Sequence, residues 1–139
     1  RRPNDDAFAE GWFRSGDLAQ VDADGFYEIV GRAKELIISG GENIHPAEIE
    51  NIALADAAVG EAAVVGLPDA QWGEVAVLAV VAHPGAVVDV ARLWAALAAQ
   101  LARFKHPRRI VVLDALPKTA LGKVRKADLA LDLQQVRDP

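Results

Sequence analysis

The segment LPKTALGKVRKADL, residues 116–129, gathers positive charge around a single glycine. Lys123 directly follows Gly122, whose backbone freedom lets a loop present the lysine ammonium at its tip. An ammonium is a compact charge suited to phosphate or carboxylate oxygens. From the spacing alone a solvated surface lysine is the commoner case, and an anion site is the alternative. The basic residues are Lys118, Lys123, Arg125 and Lys126.

This segment is not a Walker phosphate loop. That motif, G-x-x-x-x-G-K-[ST], would need glycine at position 117 and a hydroxyl residue at position 124. The chain has Pro117 and Val124 instead. If the loop meets an anion, it does so by another geometry.

Two earlier segments also contain residues that could line a ligand site. In GWFRSGDL, residues 11–18, Asp17 directly follows a glycine. A carboxylate at such a turn can accept hydrogen bonds from two sugar hydroxyls, or it can cap the turn. From this segment by itself, the turn cap is the better interpretation. In GRAKELIISGGENIHPAEIE, residues 31–50, an arginine and a polar joint precede a strand, a glycine pair and a helix start. Such a loop can line a ligand site.

Composition and charge restrict the class of protein. The chain has 139 residues, 52% of them apolar, which is enough for one domain with a core. It has no cysteine, and His45, His83 and His106 lie too far apart to show metal-ligand spacing. The net charge of −5 argues against a nucleic-acid binder, although residues 103–126 hold eight basic residues and one acidic residue.

Two sequence features concern location and extent. No run approaches the roughly 20 apolar residues of a membrane span, and no secretion leader opens the chain, so we expect a cytoplasmic protein. The chain has no methionine, so we expect it to be a piece of a longer protein.

The hydrophobic pattern predicts an α+β fold. Residues 18–22 and 26–30 predict a β-hairpin around Asp24-Gly25, a turn rather than a calcium loop. Further strands are predicted at 35–39, 61–67, 74–83 and 109–114, the last as a central strand. Helices are predicted from Pro46, over 90–104 and near 126–133. We therefore expect a small domain with a central sheet of about three strands flanked by helices, preceded by a hairpin.

The second predicted helix has the clearest core face. Asp89 is placed to cap its N-terminus. Leucines four residues apart form its inner stripe, with Trp94 and Phe104 beside them. We expect this stripe, Leu93, Leu97 and Leu101, to be core rather than a binding surface.

Taken in order, GWFRSGD, GRAKELIISGGENIHPAEIE and LPKTALGK resemble the adenylate-forming superfamily. That superfamily includes acyl- and aryl-CoA synthetases, peptide-synthetase adenylation domains and firefly-type luciferases. SGGENIHPAEIE looks like the acyl-CoA synthetase branch. RSGD has serine where the family mostly has threonine, and the hydroxyl is kept.

The resemblance implies a division of the chain. Residues 1–31 would be the last hairpin of a large N-terminal adenylation domain, and residues 32–34 a hinge. Residues 35–133 would be the small C-terminal domain, followed by a tail at 134–139. The rest of the large domain would be the partner of this chain.

The resemblance also implies roles for single residues. Asp17 would bind the ribose hydroxyls of ATP, Arg32 the nucleotide, and Lys34 would be the hinge. Gly40 and Gly41 would line the pantetheine tunnel, and Glu48 would be the acid of that motif or only a helix cap. Lys123 would reach into the site for adenylation.

The implied reaction is that of an ATP-dependent acyl-CoA ligase. A carboxylic acid, ATP and coenzyme A would give acyl-CoA, AMP and pyrophosphate through an acyl-adenylate, with Mg²⁺ on the phosphates. The chain alone is expected to be inactive, and neither nucleic acid nor a membrane span is expected. The alternatives are an aryl-CoA ligase, a domain that loads a carrier protein, or a non-catalytic small domain that binds nucleotide or a partner.

Overall fold

The computed structural model describes residues 35–135, together with the backbones of residues 8–9, 12–13, 17–21 and 27–32. Four strands, in the order β1-β2-β3-β4, form an antiparallel sheet before residue 35. They are β1 (Phe8–Ala9), β2 (Trp12–Phe13), β3 (Asp17–Val21) and β4 (Tyr27–Arg32). The pairing of β3 with β4 confirms the two predicted hairpin strands, while Asp24-Gly25 lies outside the described residues.

A second sheet has five strands in the order β6-β5-β8-β7, with β9 also paired to β8. Its strands are β5 (Ile37–Ser39), β6 (Glu42–Ile44), β7 (Val59–Asp69), β8 (Gly73–Ala82) and β9 (Arg109–Val112). The helices are α1 (Pro46–Leu54), α2 (Val90–Gln100) and α3 (Lys126–Gln135), with a 3₁₀ turn at Arg103–Lys105. This confirms the small α+β domain, with more strands than predicted. The sequence missed β6 because three residues between a glycine turn and a helix are too few to show alternation.

The long antiparallel pair β7–β8 is buried on both faces. On one face Val64, Leu78 and Val80 form a cluster with residues of α1 and α2. On the other face Val65 and Val77 pack with residues of α3. Burial on both faces explains why these strands appear in the sequence as continuous apolar runs rather than alternating ones. The helices contribute Ile49 and Ala53 from α1, Leu93 and Leu97 from α2, and Leu129 and Leu133 from α3.

The second helix is shorter than predicted. The Asp89 side chain accepts a hydrogen bond from the Arg92 N–H and confirms the predicted cap. The helix ends at Gln100, because Leu101 has an extended backbone with φ −124° and ψ 145° and turns the chain away from the helix axis. Phe104 therefore lies in the 3₁₀ turn with 49% of its surface exposed, and its expected place beside the core stripe was wrong.

The prediction of a central strand at 109–114 was also wrong. Within the described residues β9 covers four residues and pairs only with β8, in parallel. It is an edge strand, and Val112 is 47% exposed. The run RIVVLD is apolar enough for a central position, but only the pairing decides whether a strand has one neighbour or two. Within the described residues, none of the helices is both long and apolar enough to cross a bilayer.

Candidate functional site

The segment that carries Lys123 is a closed loop. Lys118 and Val124 form an isolated antiparallel bridge across its base. Within it, the Thr119 N–H donates to the Lys123 carbonyl at 2.8 Å, and the Gly122 N–H donates to the Thr119 carbonyl at 3.0 Å. Gly122 has φ +87°, a backbone conformation that glycine adopts readily and that other residues rarely adopt. The loop therefore holds the backbone of Lys123 at the protein surface.

Three of the four basic residues of this segment are neutralised by carboxylates. Lys118 pairs with Glu61, and Arg125 pairs with Asp128 at 2.8 Å. Lys126 pairs with two glutamates. Lys123 is exposed, and among residues 35–135 no carboxylate lies within ion-pair distance of it. Of the four basic residues, Lys123 is therefore the one most available to an anion.

Lys123 lines a groove of about 690 Å³ between its loop and the helices α1 and α3. The charged residues of the groove are Glu35, Glu50, Lys123 and Lys126. Its remaining wall is small and apolar, made by Ala62, Ala63, Val124 and Ala127. A cation in an open groove with a small-residue floor can approach an anionic ligand closely.

The glycine pair forms the two-residue turn between β5 and β6. Ser39 pairs with Glu42, and the two glycines between them have φ +58° and +82°, as a type I′ hairpin turn requires. A Cβ at Gly40 would lie 2.5 Å from the Trp72 ring, whereas a Cβ at Gly41 would meet no atom within 4 Å among the described residues. Both positions favour glycine because of their positive φ, and Gly40 is also required by space.

A second groove, of about 550 Å³, lies beside this turn. Gly40 is part of its wall, and the side chains of Trp72 and Phe104 are each almost half exposed there. Arg103 and Arg108 add two guanidinium groups. Exposed aromatic rings next to arginines provide stacking for a flat base and charge for phosphate oxygens.

The two arginines of this second groove differ in whether a carboxylate lies near their guanidinium group. Arg108 Nη1 lies 3.7 Å from Asp69 Oδ2. Arg103 has no carboxylate within ion-pair distance among residues 35–135. The sequence did not identify the aromatic wall of this groove, although an aromatic residue in the turn PDAQWG between two strands was a usable signal for Trp72.

Asp69 fixes the turn that carries Trp72. Its Oδ1 accepts hydrogen bonds from the backbone N–H groups of Gln71 and Trp72, both at 2.9 Å. These bonds, that of Trp72 first, together with the nearby charge of Arg108, lower the pKa of Asp69. The carboxylate form of Asp69 therefore holds Trp72 in place over Gly40.

The Glu48 side chain does not cap α1, which was one of its two expected roles. It lies in the first turn of α1, but its carboxylate accepts from Lys105 Nζ at 3.3 Å. His45 is the N-cap residue and makes no side-chain cap bond, and burial lowers its pKa. Glu48 thus ties α1 to the 3₁₀ turn that carries Arg103 and Phe104.

The structure brings two further predicted residues together. Asp17 and Arg32 face each other as Cα partners in the β3–β4 pair, although 15 positions separate them along the chain. Lys34, the predicted hinge, lies outside the described residues. Of the predicted positions, the described residues therefore show the Asp17–Arg32 pair, the Gly40–Gly41 turn and the Lys123 loop.

The chain matches known sequences over most of its length. Residues 48–123 match the model of the AMP-binding enzyme C-terminal domain. An indoleacetate–CoA ligase of Aromatoleum aromaticum is 50% identical over 120 residues, which cover 86% of this chain and 24% of that protein. This chain therefore spans about a quarter of the length of that relative.

Solved structures agree with this similarity. The ATP-bound MatB from Rhodopseudomonas palustris superposes with a TM-score of 0.76 at 39% identity, covering 94% of this chain and 26% of that one. The o-succinylbenzoate CoA synthetase MenE from Bacillus subtilis, in complex with the acyl-adenylate intermediate OSB-AMP, gives a TM-score of 0.76 at 38% identity. That match covers 99% of this chain and 28% of MenE.

Proposed function

The chain belongs to the C-terminal domain family of AMP-binding enzymes, and we propose that it serves an ATP-dependent acyl-CoA ligase as its small domain. The complete protein would convert a carboxylic acid, ATP and coenzyme A to acyl-CoA, AMP and pyrophosphate through an acyl-adenylate. The CoA ligase and the adenylate-bound synthetase described above support this reaction. The acid would be selected by the large domain.

The single observation that carries the proposal is the charge of Lys123, which no carboxylate among residues 35–135 neutralises. In the first half-reaction a carboxylate attacks the α-phosphate of ATP, so two anions must approach each other. A cation that touches both relieves their repulsion and stabilises the charge of the transition state. At about 4 Å and an effective dielectric constant of about 20, one such contact contributes roughly 4 kcal/mol before desolvation is subtracted. Lys123 is exposed and has no carboxylate partner among residues 35–135, so its ammonium is available for this role.

The nucleotide would be held by residues on the paired strands before the small domain. Asp17 would accept hydrogen bonds from the ribose hydroxyls, and Arg32 would contact the phosphates or ribose. Their facing positions in the β3–β4 register support a common ligand. Lys34, two positions after Arg32, would be the hinge about which the small domain rotates between the half-reactions.

The thioester step would use the glycine turn and the second groove. Gly40 and Gly41 would form the wall of the pantetheine tunnel, because their turn exposes backbone without a side chain. Trp72 and Phe104 would stack on the adenine of coenzyme A, and Arg103 would meet its phosphates. The groove lies directly beside the glycine turn, so one CoA molecule can contact both.

The complete protein would also need Mg²⁺ with its ATP. Mg²⁺ would be bound through the phosphate oxygens of ATP. We propose a cytoplasmic location, which the use of ATP and the lack of cysteine in this chain favour.

The test uses the full-length protein and separates the two half-reactions. Carboxylate-dependent ATP–pyrophosphate exchange is measured over a panel of acids for the wild type and for Lys123→Ala. Exchange should fall by about 10²–10³ in the variant, while preformed acyl-adenylate still yields the thioester. Arg125→Ala is the matched control, since Arg125 lies two positions away but is already paired with Asp128. Absence of exchange with every acid, or equal exchange in Lys123→Ala, would contradict the proposal.

A further inference from the structure

Lys126 lies between two glutamates from distant parts of the chain. Its Nζ is 2.8 Å from Oε2 of Glu50 in α1 and 3.1 Å from Oε2 of Glu35. The side chains of Lys126, Glu35 and Glu50 are 23%, 31% and 17% exposed. The same oxygen of Glu50 also accepts the Val64 N–H at 2.8 Å. The Lys126 ammonium therefore forms ion pairs with two partly buried carboxylates.

The same two glutamates belong to the groove that Lys123 lines. The groove has two basic residues, Lys123 and Lys126, and two acidic residues. Both carboxylates are bound by Lys126, and neither lies within ion-pair distance of Lys123. If Lys126 lost its charge, the carboxylates of Glu35 and Glu50 would remain in the groove without a cation, beside the Lys123 ammonium.

We infer that Lys126 is a positioning residue that keeps Lys123 available for substrate by occupying Glu35 and Glu50. This inference rests on the proposed function of Lys123. A lysine paired with a carboxylate of its own groove would reach an incoming anion less readily, because the pair must first be broken. Partly exposed ion pairs of this kind shift an equilibrium roughly two- to fivefold. Lys126 would therefore affect the adenylation half-reaction without touching the reacting groups.

The inference predicts an unusual pattern in a set of full-length variants. Lys126→Met removes the charge and keeps the length of the side chain, and should lower pyrophosphate exchange roughly two- to fivefold. Lys126→Met combined with Glu35→Gln should recover part of that loss, since one of the two competing carboxylates is gone. Lys126→Arg should stay close to the wild type. The thioester step from preformed acyl-adenylate should not change in any of them.

A second measurement does not depend on activity. The rate at which an activated ester acylates the Lys123 amine is followed by mass spectrometry. Pairing protects an amine, so Lys126→Met should slow this labelling and the added Glu35→Gln should restore part of it. Arg125→Met is the control, because the exposed Arg125–Asp128 pair only joins the residue before α3 to the first turn of that helix. It should leave the labelling of Lys123 unchanged.

The outcomes distinguish this inference from a purely structural role. If Lys126 served only to hold the loop against α1, removing the Glu35 charge as well would not restore pyrophosphate exchange. The double variant would then exchange no faster than Lys126→Met. That result, or unchanged labelling of Lys123 in Lys126→Met, would overturn the inference. If the wild type shows no exchange, the proposed function fails, while the labelling experiment still decides whether Lys126 protects Lys123 from pairing.

Discussion

The Trp72 side chain lies directly over Gly40, with its Cε3 atom 2.5 Å from the point where a Cβ of residue 40 would stand. The backbone of the same pair is also joined, since the Gly40 N–H donates to the Trp72 carbonyl at 2.9 Å. The hairpin turn of β5–β6 and the turn of β7–β8 are thus fixed to each other. One turn carries the proposed tunnel wall and the other carries an aromatic residue of the second groove.

This contact predicts different effects of alanine at two adjacent glycines. Gly41→Ala only forces alanine into a positive φ, at a cost of about 1 kcal/mol. Gly40→Ala has that cost and must also displace Trp72, so its unfolding midpoint should be lower than that of Gly41→Ala. The measurement is thermal unfolding of the two full-length variants, with the thioester step assayed in parallel. Equal midpoints and equal thioester rates would show that Trp72 does not restrict position 40.

If the second groove binds coenzyme A, a change there should alter the KM for CoA without altering adenylation. Arg103→Ala should raise the KM for CoA by about tenfold, as expected for the loss of a charge-assisted phosphate contact. Pyrophosphate exchange should be unaffected, because it does not require CoA. Arg92→Ala is the matched control, since Arg92 is exposed but bonded to Asp56 and is not part of this groove. If both variants raise the KM for CoA alike, the groove is not the nucleotide site.

The stability of the turn held by the Asp69 carboxylate should depend on pH. Its pKa is lowered in the folded protein, so its contribution to stability is present above the ordinary carboxyl value and is lost as the pH falls through the lower folded value. In Asp69→Asn the group cannot titrate. The wild type should therefore lose thermal stability more steeply than this variant between about pH 5 and pH 2. Parallel pH curves for the two proteins would exclude the assigned role of Asp69.

The helix α3 predicts a contrast between two leucines two positions apart. Leu129 is fully buried against the sheet, and Leu129→Ala should cost about 2–5 kcal/mol because it leaves a cavity. Leu131 is 59% exposed on the same helix, and Leu131→Ala should change the stability by less than about 0.5 kcal/mol. Denaturant unfolding of both variants checks this. Since α3 directly follows the Lys123 loop, loss of its packing should also lower pyrophosphate exchange.

The sequence alone determined the local features of this protein. Glycine pairs permit positive φ. Helix starts are marked by a proline at the first position of α1 and by an aspartate before α2. Continuous apolar runs mark the buried strands. These are short-range effects, so the start of α1 at Pro46 and the cap of α2 by Asp89 were predicted correctly. The order of three motifs was also sufficient to identify the family that the comparisons show.

Only the tertiary structure decided which charges and rings are available to a ligand. Lys126 is neutralised by residues 76 and 91 positions away, whereas Lys123, in the same basic segment, has no carboxylate partner in the described part of the small domain. Phe104 was placed at the surface by the end of α2, and Trp72 was placed over Gly40 by the pairing of β5 with β8. The sequence could not settle these points, because an ion pair or a ring contact depends on which distant residues the fold brings within a few ångströms.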